Sequence, residues 1–231
     1  MCKKTIGIIG GMGPMATVDL FRKLVEHTLA ESDDEHIHIL IDNYPQIPDR
    51  TKAVLTGDDS VVEYLVEAAQ RLADAGADFL IIPCNTSHCF YDALCSRVQI
   101  PVIHMIRACA EKVKSLGYEK VALLATDGTI HSGTYSSCFA EYGIEVLLPS
   151  AQGQKKVMQL IYDEIKAGNE VHPQILDEER KALQQRGAQA FILGCTELPL
   201  AFPADNTGLF VDPTAILAET AIKAAGYPYK V

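Results

Sequence analysis

Gly76-Ala77-Asp78-Phe79-Leu80-Ile81-Ile82-Pro83-Cys84-Asn85-Thr86 and, 111 positions later, Gly187-Ala188-Gln189-Ala190-Phe191-Ile192-Leu193-Gly194-Cys195-Thr196-Glu197 follow one layout. Each opens on a glycine suited to ending a helix, runs through an apolar stretch and turns at a cysteine into small polar residues. In both, the cysteine stands eight residues after the glycine. A short apolar run bounded by such breakers fits a strand covered on both faces, as in a parallel sheet. The turn after it then lies at the carboxyl edge of the sheet, where α/β folds assemble their ligand sites.

The same alternation continues in both directions. Strand-like runs are expected near 5–10, 36–42, 79–83 and 101–104, and again near 120–125, 144–148, 189–193 and 209–212. Apolar positions recur at helical spacing over 17–29, 61–75, 106–116, 157–167 and 175–186. Gly117 and Gly143 read as helix C-caps. Strands alternating with helices indicate βαβ units. The opening strand Ile6-Gly7-Ile8-Ile9-Gly10 has a counterpart in Val121-Ala122-Leu123-Leu124-Ala125, and each runs into a polar loop, Gly11-Met12-Gly13-Pro14 or Thr126-Asp127-Gly128-Thr129. The expected fold is α/β: two similar halves, each with a mostly parallel four-stranded sheet, related by internal pseudo-symmetry, with a cleft between their carboxyl edges.

Composition narrows the partners. A chain of 231 residues can bury a large core. Its net charge of −10 argues against general nucleic-acid binding and against anionic membrane surfaces, though a few local basic residues leave room for an acidic ligand. No apolar run reaches the length of a membrane span, and the N-terminus enters a strand without a signal-peptide pattern. The seven cysteines are odd in number and dispersed, which fits free thiols in a reducing, cytoplasmic setting.

A buried cysteine is ordinarily a small hydrophobe. Cys95, Cys109 and Cys138 are read that way, and Cys2 as merely terminal. Cys84, His88, Cys89 and Cys95 offer neither a C-x2-C pair nor an H-x3-H partner, so no metal site is expected. Cys84 and Cys195 differ because they are matched, each at a polar strand end. Two thiols in facing halves are placed to approach one substrate from opposite sides. Inverting the α-carbon of an amino acid without pyridoxal phosphate requires a positioned base on one face, an acid on the other, and donors for the carboxylate as it gains enolate character. A thiolate serves if a helix N-terminus stabilises it. Asn85, Thr86 and Ser87 after Cys84, with Thr196 and Glu197 after Cys195, are expected to open the next helices and offer backbone N–H groups to an anion.

Three other features stay open on sequence grounds. Arg50 follows the stiff stretch Tyr44-Pro45-Gln46-Ile47-Pro48-Asp49, where it either clamps a carboxylate or pairs at the surface. Lys166 ends a helical pattern, a position usual for a surface lysine. Gly11-Met12-Gly13-Pro14-Met15-Ala16 formally fits a dinucleotide fingerprint, but Asp42 comes 31 residues after Gly11, too late for the expected acid. That loop is read as a tight backbone wall of the cleft.

Taken together, these motifs resemble the cofactor-independent aspartate/glutamate racemase superfamily, and its aspartate racemases in particular. The likeness runs through Gly10-Gly11-Met12-Gly13-Pro14, Asn43 to Thr51, Pro83-Cys84-Asn85-Thr86, Leu124-Ala125-Thr126, Lys166-Ala167-Gly168-Asn169, Gly194-Cys195-Thr196-Glu197 and Asp212-Pro213. Ser87 stands where many relatives carry alanine. The resemblance implies two flavodoxin-like domains, 1–99 with 208–231 packing back onto it and 100–207, usually as a homodimer, with the active site between them. It implies Cys84 and Cys195 as the acid/base pair and no cofactor. Arg50, Asn85, Thr86, Ser87 and Lys166 become substrate contacts, joined by Met12, Thr126 and Thr196. The expected activity is interconversion of L- and D-aspartate. Alternatives are a glutamate or broad-specificity racemase, a maleate-type isomerase, a nucleotide-dependent oxidoreductase and a non-catalytic binding module.

Overall fold

A computed structural model describes residues 3–202 and 208–230; Cys2 lies outside the described residues. Two parallel sheets carry the fold. The first contains β1 (Ile6–Gly10), β2 (Ile39–Asn43) and β3 (Phe79–Ile81), in the order β2-β1-β3. The second contains β4 (Lys120–Leu124), β5 (Glu145–Leu147), β6 (Ala190–Leu193) and β7 (Phe210–Val211), in the order β5-β4-β6-β7.

The fourth strand expected at 101–104 is reduced to a single parallel bridge, Leu80 with Val102. Pro101 has no N–H to give the ladder, and His104 already caps the following helix, accepting from Arg107 N at 3.2 Å. The chain therefore leaves the sheet after one contact. The bridge occupies the position in the first sheet that β7 occupies in the second, so the pseudo-symmetry holds in strand order although the strand does not form.

Among the described residues, eleven α-helices frame the sheets: α1 (Pro14–His27), α2 (Arg50–Thr56), α3 (Val61–Asp74), α4 (Tyr91–Cys95), α5 (Met105–Ser115), α6 (Asp127–His131), α7 (Thr134–Glu141), α8 (Ala151–Gln159), α9 (Asp177–Gln185), α10 (Leu198–Ala201) and α11 (Pro213–Ala224). Alternate side chains of each strand point to opposite faces, and both faces are covered. Ile9 packs with Leu65, Ala68 and Leu72 of α3. Ile6 and Ile8 pack on the other face with Leu20 and Leu24 of α1. The glycines that open the two repeats, Gly76 and Gly187, adopt φ of 99° and 97°, a left-handed conformation that glycine reaches without strain.

The halves exchange a helix. α5 follows the edge of the first sheet, yet Ile106, Cys109, Ala110 and Val113 pack with Val121 and Leu123 of the second. α11 follows β7 of the second sheet, yet Leu217, Ala218, Ala221 and Ile222 pack with Ile6 and Ile8 of the first. Burying a leucine or isoleucine fully contributes about 1.5–3 kcal/mol, so each half holds the other through several such side chains. The terminal segment continues along the first half, where Lys230 N donates to His27 O at 2.8 Å. Asp212 caps α11 by accepting from Thr214 N at 2.8 Å, and its other oxygen takes the Lys23 ammonium of α1 at 2.6 Å.

A closer approach sits at the cleft. A Cβ on Gly128 of α6 would lie 2.7 Å from Thr51 Cα of α2, so only glycine lets these two helices meet. The Gly11 loop packs tightly on the neighbouring backbone: a Cβ there would lie 2.4 Å from the Tyr44 carbonyl carbon.

Candidate active site

The strands end where their sequence turns polar, and both cysteine turns open on one narrow cleft between the sheets. Met12, Arg50, Cys84, Asn85, Thr86, Thr126, Lys166, Cys195 and Thr196 all line it. The ninefold convergence spans both halves of the chain. Ser87 does not line it; its hydroxyl donates to the Met12 sulfur at 3.3 Å and braces that side chain from behind. Asp49, Thr51, Tyr162 and Glu197 complete the wall.

The helix N-termini expected directly after the cysteines are displaced. Thr86–Phe90 is a 3₁₀ turn leading into α4. After Cys195, α10 begins at Leu198, because Pro199 suits a first helical turn and not the residues before it. Donors for an anion therefore have to come from side chains with hydrogens to spare, whereas three nearby hydroxyls satisfy one another. Thr86 from the first half joins Thr126 and Thr129 from the second in a ring of hydroxyls, at 3.1 Å, 2.8 Å and 3.1 Å. Asn85 leaves its Nδ2 unpaired although the residue is 2% exposed.

Arg50 is not on a loop but opens α2, whose cap is Asp49, accepting from Lys52 N at 2.7 Å. The guanidinium is buried, and Nη1 donates to Ile47 O at 3.1 Å and Pro48 O at 2.9 Å. Its Nε has no partner among the described residues. The two prolines thus shape a carbonyl cradle that aims the cation into the cavity. Lys166 reaches the same space by a different device. The helix running from α8 widens into a π turn over Leu160–Ile165, which shifts the register just before it. Tyr162 and Lys166 then face the cleft together, with the ammonium 5.0 Å from the ring centroid.

Cys195 donates its S–H to Glu197 Oε2 at 2.9 Å, and Glu197 Oε1 stands 3.4 Å from the Lys166 ammonium. Burial first, then the Glu197 carboxylate, push the Cys195 thiol well above the ordinary range, while Lys166 pulls the other way. Burial disfavours the charge on Lys166, but Glu197 and then both cysteines outweigh it and hold the ammonium above its usual range. One cation thus lies in the field of both thiols.

The first half builds its cysteine turn without charge. His88 Nδ1 donates to the Cys84 carbonyl at 2.9 Å, and Nε2 accepts from Met105 N at 3.1 Å. Burial, then the neighbouring His104, lower its pKa to about 4, so the ring is neutral. The other cysteines lie elsewhere: Cys109 and Cys138 are buried in the core of the second half. Among the described residues no His/Cys/Asp/Glu cluster could hold a metal ion, and no helix is long and apolar enough to cross a membrane.

Sequence reasoning did not single out Tyr162, Thr129 or Asp49, and it took Glu197 for its backbone N–H rather than its carboxylate. Glu197 carried a signal, a charged residue two positions past the cysteine in an apolar and small context. Tyr162 carried another, one helical turn before Lys166.

The chain is similar to characterised racemases along nearly its whole length. It is 25% identical to the broad specificity amino-acid racemase RacX of Bacillus subtilis, over 94% of this chain and 96% of that one. Among solved structures, the aspartate racemase of Picrophilus torridus superposes with a TM-score of 0.82 at 31% identity, covering 98% of this chain and 96% of that one. An aspartate racemase homologue from Pyrococcus horikoshii superposes with a TM-score of 0.78 at 27% identity, covering 96% and 99%. The profile of the Asp/Glu/Hydantoin racemase family matches residues 9–221, and the chain belongs to that family.

Proposed function

We propose that this racemase interconverts L- and D-aspartate without pyridoxal phosphate, with Cys84 and Cys195 acting on opposite faces of Cα. The observation that carries the reading is that both cysteine turns open on one cavity whose remaining lining is rich in anion donors. The unpartnered Arg50 Nε and Asn85 Nδ2 suit carboxylates, and two carboxylates distinguish aspartate from neutral amino acids. In the state described, Cys195 holds a proton on Glu197. It is the acid, and Cys84 is the base that takes the α-proton. As the Cα–H bond breaks and its proton passes to the Cys84 sulfur, the Cys195 S–H bond breaks and its proton forms the new Cα–H bond on the opposite face, leaving Cys84 a thiol and Cys195 a thiolate ready for the reverse direction.

Incubation with L-aspartate in deuterated water, with no cofactor added, tests this. The expected result is D-aspartate carrying α-deuterium. Faster turnover of glutamate or of neutral amino acids would move the assignment to a glutamate or broad-specificity racemase. No exchange with any of them would overturn it.

The homodimer and the cytoplasmic setting belong to the same proposal. Met15, Val18, Phe21 and Val25 are exposed along α1 and Leu29 just past its end, and this apolar stripe is the face on which a second copy is expected. A solution mass equal to one chain, by light scattering, would remove the dimer from it.

A further inference from the structure

Asn85 uses its carboxamide unequally. Oδ1 accepts from the Tyr135 hydroxyl at 2.6 Å. Nδ2 is buried with no hydrogen-bond partner among the described residues, and the residue lines the cavity. A buried N–H2 without an acceptor is unfavourable by itself and marks where an incoming acceptor belongs.

Tyr135 decides which end of the amide faces that place. It stands in the first turn of α7, 1% exposed, with its ring centroid 5.4 Å from that of Phe139. Burial in this apolar core, and the nearby thiols after it, keep the phenol protonated. The hydroxyl has no other partner among the described residues. A reversed carboxamide would point its N–H2 at the phenol and its oxygen into the cavity. The phenolic hydrogen would then lose its acceptor, and an incoming carboxylate would meet an oxygen. The pairing also crosses the cleft, since Asn85 belongs to the first half and Tyr135 to the core of the second.

We propose that Tyr135 is a positioning residue: its hydroxyl, from the opposite half, orients the Asn85 carboxamide so that the N–H2 is presented to a ligand carboxylate. This rests on the reading above only in taking a carboxylate as the ligand.

Tyr135→Phe keeps the ring against Phe139 and removes one oxygen. The expected outcome is a KM for aspartate raised roughly 10-fold with a smaller change in kcat, since ground-state binding is what is lost. In an Asn85→Ala background the same substitution should change KM no further, whereas a tyrosine of purely structural importance would act alike in both backgrounds. Asn85→Asp is the reciprocal variant. It keeps an acceptor for Tyr135 but faces the ligand with an oxygen, and should raise KM at least as much. A readout free of turnover is the Asn85 side-chain amide pair in the ¹⁵N–¹H spectrum, identified by its loss in Asn85→Ala. It should move in Tyr135→Phe while the backbone pattern stays. A wild-type KM in Tyr135→Phe, equal effects in both backgrounds, or an unmoved Asn85 pair would overturn the proposal. If the unaltered protein turns over no acidic amino acid, the functional reading fails, and the spectrum still decides the role of Tyr135.

Discussion

The Cys84 and Cys195 turns share a backbone plan and differ in everything around the sulfur. Both follow a buried parallel strand, and both strands pair with the opening strand of their half. The Cys84 turn is held by neutral hydrogen bonds, through His88 to the start of α5 and through Asn85 to Tyr135. The Cys195 turn is ionic, with its thiol on Glu197 and Glu197 on Lys166. Duplication therefore accounts for where the two thiols stand, and divergence after each cysteine accounts for what each can do. The reaction has the same mixture. Its α-proton is nearly mirror-symmetric, but the carboxylates of the substrate are not, so the two faces need not be served alike.

The largest expected effect breaks the comparison at its centre. Cys84→Ser and Cys195→Ser should each lower racemisation by roughly 10³-fold or more, because a hydroxyl is a far weaker base than a thiolate and positioned acid–base catalysis contributes on that scale. The remaining thiol still reaches one face. Each variant should therefore exchange the α-hydrogen of one enantiomer only, and the two variants should select opposite enantiomers. Isotope content of L- and D-aspartate after incubation in deuterated water reads both effects. A variant that racemises at the unaltered rate would sink the two-base reading, and two variants with the same selectivity would show that the thiols do not face each other.

The two cysteine motifs, the parallel sheets and the glycine caps are legible in the sequence because they depend on local spacing. Gly117 and Gly143 do turn left-handed, at φ of 78° and 69°. The strand at 101–104 fades for a reason that periodicity does not contain, namely the missing donor at Pro101 and the cap that follows at once. Arg50 reads as a loop residue because Pro45 and Pro48 dominate its neighbourhood, yet Asp49 is an N-cap that starts a helix there. Tyr135 and Asn85 lie 50 positions apart, and no local pattern announces a contact made across two halves. The placement of Lys166 depends on a π turn, which simple helical spacing would misregister.

A smaller effect sharpens the comparison by making the ionic turn resemble the neutral one. Glu197→Gln preserves shape and leaves an oxygen to accept from Cys195, but it removes the negative charge. Burial and that charge both raise the Cys195 thiol, and Lys166 opposes them. Without the carboxylate, the thiolate loses a repelling neighbour and gains the full attraction of the ammonium, so Cys195 should ionise at lower pH. Measured as thiolate absorbance in a Cys84→Ser background, the midpoint should move toward acid. With both cysteines present, racemisation should fall about 10- to 100-fold, the range expected for losing one charge-assisted hydrogen bond. The reason is that a Cys195 held as thiolate is a poor proton donor. A Cys195 midpoint that stays in place or moves toward base would mean that Glu197 does not repel the thiolate, and the contrast between the ionic and the neutral turn would then lose its chemical content.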